Sequence, residues 1–506
     1  MKEGPLPSPW SARLVLALGA ALAVSSGAGP LAAQSSSAAA SARTDAAATI
    51  TAEDLRLRVG VLAHDSMAGR DTPSPGLEKA ARYVAAQFRS FGLRPGAGEG
   101  YLQRYPITVV RPGASDAQGV ILSGPAGEVS LDPRTQFVAV PVADRVEGEG
   151  ALVAIGSQDG TTEIRGRVAV VRLSPRELQA GFGRVRELFT ERGAVGAILV
   201  LDAPENYVQR LRLFFASPRP SLGETQPLPA PLVLVGESAL PRELASALAA
   251  GEIAGGWSAH LWTTAEVESA EAMNTIGVLE GSDPLLRNEY VIFTAHMDHV
   301  GVGRPVGGDS IYNGADDDAS GTSTIVELAE AFAATRPRPR RSLIFLTVSG
   351  EEKGLWGSRW YTENPPFPLG RTVADLNIDM IGRNWQDSVV AIGKQESSLG
   401  PLVDRVAAEH PELHLRVIDD QWPEQRFYFR SDHYNFARKG VPILFFFSGV
   451  HEDYHRPSDE PGKLEYEKMA RIGRLIYYLG REVADAERRP VWDEEAYERV
   501  VEGAGG

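Results

Sequence analysis

The sequence predicts an α/β fold, a mixed sheet covered by helices on both faces, with a small β/α unit inserted into it. Four short apolar runs, "YVIFTA", "SLIFLTV", "VADLNI" and "VPILFFF", read as buried strands, because strands covered on both faces lose their polar alternation. Helical stretches alternate with them: "ASGTSTIVELAEAFAAT" follows the first run and "EKMARIGRLIYYLGREVADA" closes the series, the order expected of βα units. At 506 residues the chain is too long for one ordinary core, so two or more domains are expected.

Taken in order, the chain begins with Lys2 and Arg13 ahead of the apolar "LVLALGAALAV" and the small residues of "PLAAQ", the pattern of an export signal. The expected signal peptide is 1–33, cleaved after Ala33, and the expected location is secreted or periplasmic. Residues 34–50, with "SSSAAASARTDAAA", read as a flexible low-complexity leader. From Thr51 the texture is globular. "SPGLEKAARYVAAQFRSFGLRPG" sets Leu77, Ala80, Ala81, Val84, Phe88 and Phe91 at helical spacing and stops at Gly92. "GYLQRYPITVV" alternates like a strand.

Residues 112–265 differ. Short β-like runs, "ALVAIG", "GRVAVVRL", "AVGAILVLD" and "PAPLVLVG", surround the helical "GRVRELFTERG", and none ends in a histidine or carboxylate cluster. This segment reads as a separate unit inserted into a larger domain formed by 51–111 and 266–490. The acidic tail 491–506, "WDEEAYERVVEGAGG", is expected to be peripheral.

Composition narrows the chemistry. A net charge of -15 argues against a nucleic-acid surface. Without cysteine there are no disulfides, thiolate ligands or cysteine nucleophiles. His, Asp and Glu remain as acid–base and metal-binding groups. No stretch after the signal is long and apolar enough to cross a membrane, so no stable span is expected after cleavage.

Those groups cluster where a site is expected, since α/β sheets bind ligands beyond the carboxyl ends of their strands. "YVIFTA" runs into His296 of "HMDHVG", "SLIFLTV" into "SGEEKG", and "VADLNI" into Asp379 of "DMIGR". "NGADDDASG" puts Asp316, Asp317 and Asp318 at a helix start, and "HEDYHRPSDE" brings His455 after the fourth strand. Singly, these are ordinary turn or capping residues; Asp318 or Ser320 suits a helix cap. Together they crowd acids that need cations, and hard or borderline metals take this N/O set. Two metals explain the count: His296 and Asp379 on one, His455 and Glu352 on the other, and Asp317 bridging. Adjacent glutamates then hold different jobs, Glu352 as ligand and Glu351 as general base. Asp298 is expected to orient the His296 ring, and Asp459 either to orient His455 or to form a turn.

"AHMDHVG", "IYNGADDDASG", "SGEEKGLWGS", "NIDMIGR", "RSDHYNFARKGVP" and "YHRPSD" resemble the M28 family of co-catalytic zinc metallopeptidases. That family includes secreted aminopeptidases and the glutamate carboxypeptidase II group. The resemblance implies a zinc-exopeptidase-like fold, two Zn²⁺ per chain and a peptide substrate, with no nucleic-acid partner. It carries the ligand roles onto His296, Asp317, Glu352, Asp379 and His455, and the base onto Glu351. It offers Tyr428 or Tyr454 as an oxyanion-stabilising tyrosine, with Tyr428 favoured, and leaves His299, His433 and His451 outside the ligand set. The inserted segment resembles a protease-associated domain. The implied function is an aminopeptidase. The alternatives are a glutamate-carboxypeptidase-type enzyme using Arg383 and Arg430 as carboxylate clamps, a single-zinc glutaminyl cyclase, and a non-catalytic receptor-like ectodomain.

Overall fold

A computed structural model describes residues 45–141, 145–156, 159–223, 228–251 and 256–502. The expected signal peptide and most of the expected leader lie outside the described residues. The end of that leader departs from expectation. Asp45–Ala48 is helical, and Ala46, Ala47 and Ile50 are buried in the main apolar cluster. Alanine-rich sequence reads as low complexity, yet alanine is also the best helix former.

The central sheet is mixed. Its main strands are β1 (Leu102–Pro112), β2 (Ser258–Leu279), β3 (Tyr290–His296), β4 (Ser342–Val348), β5 (Thr372–Ile378), β6 (Ser388–Ile392), β7 (Arg416–Ile418) and β8 (Ile443–Phe447), with the short Arg94–Pro95 paired to β2 and Arg219–Leu222 to β1. Pairing gives the order β1-β2-β4-β3-β5-β8-β6-β7. The middle four, β4-β3-β5-β8, are mutually parallel, so their carboxyl ends meet at one edge. Register aligns that edge: His296 stands opposite Val348, and Thr294 opposite Asn377, two residues short of His296 and Asp379 on the two chains.

The apolar runs serve two faces. In β3, Val291, Phe293 and Ala295 join one cluster and Ile292 the other. The first face packs against α1 (Ala52–Leu62), α2 (Pro75–Ser90), α3 (Gly321–Ala334) and the later helix α4 (Tyr466–Asp485). Helix α2 begins as its sequence dictates: Ser74 caps the Leu77 N–H, Pro75 opens the first turn, and Leu77, Ala80, Ala81, Val84 and Phe88 are buried.

Strand β2 is long because it belongs to two sheets. Its second half pairs with β1 and β4. Its first half, Ser258 to Thr264, pairs with Arg145–Ile155 and Gly119–Gly124 of the inserted segment. There, Arg145–Ile155, Val168–Leu173, Gly196–Leu201 and Leu232–Gly236 run parallel. Two apolar clusters draw only on residues between Val120 and Leu261. The acidic tail is anchored rather than peripheral: Trp492 Nε1 donates to Gly440 O at 2.9 Å, and Val500 is buried in the second-face cluster. Its apolar residues, sparse among the acids, do the docking.

Candidate metal centre

The turn after β4 answers why two glutamates stand together. Gly350 adopts φ +72°, and a Cβ there would meet Trp356 Cβ at 2.9 Å, so only glycine makes this bend. Its N–H donates to Thr72 Oγ1 at 3.0 Å, and the Glu351 N–H donates to Asp298 Oδ1 at 3.3 Å. The backbone is thus pinned while the two side chains diverge. Glu352 turns to the histidines, with Oε1 2.8 Å from His299 Nδ1 and Oε2 3.0 Å from His455 Nε2. Glu351 lines a cavity with His296, Asp317, Asp379 and Tyr454. Among the described residues no hydrogen bond or ion pair engages its carboxylate.

Asp317 lies between two groups. Its Oδ1 is 3.3 Å from His296 Nε2 and its Oδ2 is 3.2 Å from His455 Nε2. Asp379 Oδ1 is 3.5 Å from His296 Nε2, and Ser431 donates to its other oxygen at 2.9 Å. The loop bearing Asp317 is held from behind. Asp459 accepts from the Asp316 N–H at 3.0 Å and the Asp317 N–H at 3.2 Å. Buried Arg70 donates to the carbonyls of Met297, Asn313 and Gly314, joining the end of β3 to this loop. A Cβ on Gly314 would lie 2.2 Å from Asp317 O and 2.5 Å from the His299 ring, so the loop closes only on glycine.

The donor set fits a metal. Donor atoms of His299, Asp317, Glu352 and His455 lie within 4.8 Å of one another, as do those of His296, Asp318 and Asp379. Asp317 Oδ2, Glu352 Oε1, Asp379 Oδ1 and His455 Nε2 are buried without a hydrogen-bond partner among the described residues, a costly arrangement that a cation would satisfy. Electrostatics agree. Burial pulls the His296 pKa down, but the charges of Asp379 and Glu351 outweigh it and hold it well above the usual range. Burial would raise Asp317, yet His299, His296 and His455 keep it well below. Burial, reinforced by Glu352, Asp432 and Asp379 and opposed by His296, pushes Glu351 well above the usual carboxylate range.

Asp318 is a cap: its carboxylate accepts from the N–H groups of Gly321 (2.8 Å), His296 (3.2 Å) and Met380 (3.2 Å). Asp298 meets His296 chiefly through its backbone. His296 Nδ1 donates to the Asp298 carbonyl at 3.2 Å, while the carboxylate is 3.8 Å away and serves Thr72 and Glu351 instead. Since a carbonyl only accepts, Nδ1 carries a proton, and Nε2, the nitrogen beside Asp317 and Asp379, is the one left to face a cation. Asp459 anchors the Asp317 loop rather than His455.

Tyr428 is not on the cavity wall. Its hydroxyl is buried without a hydrogen-bond partner among the described residues, and its ring packs on Phe429 and His433. Tyr454 lines the cavity and stacks on His455 at 3.9 Å between ring centroids. His299, set aside on sequence grounds, sits inside the cluster. Its signal was present in "HMDHVG", where either histidine could face inward. His433 is structural: Nε2 donates to Tyr428 O at 2.8 Å, and burial lowers its pKa to about 3.

This is an α/β protein whose sheet edge gathers imidazoles and carboxylates into a candidate N/O metal centre. Residues 274–480 match the profile of peptidase family M28. The chain is 25% identical over 230 residues to aminopeptidase YwaD of Bacillus subtilis, covering 43% of this chain and 46% of that one. It is 26% identical over 316 residues to leucine aminopeptidase 2 of Arthroderma otae, covering 61% and 57%. It is 32% identical over 158 residues to a probable glutamate carboxypeptidase of Arthroderma benhamiae, covering 30% and 18%. The chain therefore spans 18% to 57% of the length of these relatives. Its fold is that of an aminopeptidase from Aneurinibacillus sp. strain AM-1, with TM-score 0.52 and 20% identity over 88% of this chain and 96% of that one.

Proposed function

We propose that the protein is an exported dizinc metallo-exopeptidase, an aminopeptidase releasing N-terminal residues from peptides. One observation carries the reading: Asp317 offers one oxygen to His296 and the other to His455. His296 and Asp379 would hold one metal, Glu352 and His455 the other, and Asp317 would bridge. His299 is close enough to Glu352 to join or steady the second set. Zinc bound there would lower the pKa of water and polarise the scissile carbonyl.

The chain's own residues do the rest. Glu351 takes the proton of the attacking water and returns it to the leaving nitrogen, as the peptide C–N bond gives way to a new C–O bond. Tyr454 donates a hydrogen bond to the carbonyl oxygen as charge develops on it. Phe427, Phe445, Phe447 and Val450 line the same cavity and favour an apolar terminal residue. Segment 112–265 is read as a protease-associated-like unit, supported by its own apolar clusters. Export rests on the N-terminal pattern; among the described residues no helix is long and apolar enough to cross a membrane.

Two observations bear on the carboxypeptidase reading. Arg383 is engaged by Asp453 at 2.9 Å and Glu452 at 3.2 Å, which disfavours it as a clamp, whereas Arg430 lines the cavity. A panel of aminoacyl chromogenic substrates beside N-blocked dipeptides with free C-termini separates the two. The expected result is chelator-sensitive release of chromophore from leucyl substrates and no cleavage of blocked dipeptides; the reverse pattern overturns the aminopeptidase reading.

A further inference from the structure

Glu351 lines two cavities. The first holds the imidazole–carboxylate cluster and the apolar wall. The second is lined by Gly354, Arg359, Phe429, Arg430, Tyr434 and Arg438, among others. Its open volume is about 800 Å³, solvent-facing side included, ample for an amino-acid residue. Arg430 borders both.

The second groove is rich in guanidinium groups short of partners. Glu363 answers both Arg359, at 3.0 Å, and Arg438, at 3.8 Å. Arg430 makes no ion pair among the described residues, and its guanidinium stands 4.7 Å over the Phe427 ring. Arg438 Nε is buried without a hydrogen-bond partner among the described residues. One neutral donor nearby is committed, since Asn435 Nδ2 donates to Leu355 O at 3.1 Å and Ser358 Oγ at 2.8 Å. Two cations thus share one acid and the third has none, at a groove that the proposed proton shuttle also lines.

We infer that this groove is the subsite for the leaving half of the substrate and that it selects a carboxylate there. The inference rests on the exopeptidase reading. A group that accepts a proton from water and hands it to the departing nitrogen must touch both halves of the peptide. The half beyond the scissile bond therefore lies past Glu351, where the groove begins. Arginine's planar fork matches a carboxylate with two parallel hydrogen bonds, supplied by either an acidic side chain or a C-terminal carboxylate. The substrate class is a peptide with an apolar first residue and an anionic group on the second.

The test compares three substrates on the zinc-loaded protein: leucyl-glutamate amide, with a side-chain carboxylate only; leucyl-alanine, with a terminal carboxylate only; and the neutral leucyl-glutamine amide. At least one acidic substrate should exceed the neutral one by about tenfold in kcat/KM, the scale of a charged hydrogen bond partly exposed to solvent. Which one identifies the source of the carboxylate. Arg430→Gln and Arg438→Gln should shrink that ratio, and Arg430→Lys, which keeps the charge but not the fork, should restore part of it. Calorimetric binding of the hydrolysis-resistant aminomethylene analogues of the same dipeptides gives a readout independent of turnover. Equal binding and equal kcat/KM across the panel would overturn the subsite while leaving the aminopeptidase reading intact. Arginine-dependent binding of the acidic analogues without cleavage of any leucyl substrate would uphold the subsite and overturn the reading.

Discussion

Glu351→Gln and Glu352→Gln exchange one atom each, yet they should fail in different ways. The Glu351 N–H donates to Asp298 and would go on doing so. Its carboxylate has no partner among the described residues to lose, so fold and metal content should survive. What disappears is a group able to take a proton. General acid–base catalysis contributes about 10²–10⁴-fold, or about 3–5 kcal/mol of barrier, and kcat should fall by that factor. Glu352 instead meets His299 at 2.8 Å and His455 at 3.0 Å. Its glutamine variant turns one oxygen into an N–H donor facing imidazoles. One metal should be lost, with a drop in affinity beyond the about 10–100-fold that removal of an outer partner costs. The assay pairs metal analysis by mass spectrometry after dialysis with kcat on a leucyl substrate. A Glu351→Gln protein with full metal and near-wild-type kcat would refute the base assignment.

Asp459→Ala strips the acceptor from two buried N–H groups, those of Asp316 and Asp317. It should destabilise by about 2–5 kcal/mol, read by denaturant unfolding, and weaken metal binding; an unchanged midpoint would exclude the anchoring role. Tyr454→Phe should lower kcat by about 10²-fold or more while Tyr428→Phe leaves it within a few-fold, and the opposite ranking would restore Tyr428. His433 has its pKa lowered to about 3 by burial, against about 6.5 when unfolded. Below pH 6.5 the unfolded chain binds the extra proton first, so stability is full above that pH and declines as pH falls toward 3. In metal-free protein, His433→Gln, whose amide nitrogen can still donate to Tyr428 O, should flatten the dependence of the unfolding midpoint between pH 6.5 and 4; an unaltered slope would show that other groups set it.

The sheet was legible because its middle strands are buried on both faces and read as unbroken apolar runs; "SLIFLTV" coincides with Ser342–Val348. Two of the other strands were not. Arg416–Ile418 has three residues, too few for a period, and Ser258–Leu279 changes partners midway, so its burial pattern changes with it. At the site, residue types after strand ends carried the information, and convergence of His296, Asp317, Glu352, Asp379 and His455 follows from parallel strands ending together. Rotamers were out of reach. Sequence spacing could not tell which of His296 and His299 faces inward when both do, nor that Asp298 serves His296 through its carbonyl. The letters favoured Tyr428 over Tyr454; only packing against Phe429 and His433 takes the first away from the cavity.

The central claim is that Asp317 bridges two metals, and anomalous diffraction at the zinc edge tests it most directly. The account predicts two peaks about 3.5–4 Å apart, one beside His296 and Asp379, the other beside Glu352 and His455, with an Asp317 oxygen on each. A single peak at full zinc occupancy, or two peaks that Asp317 does not span, would contradict it.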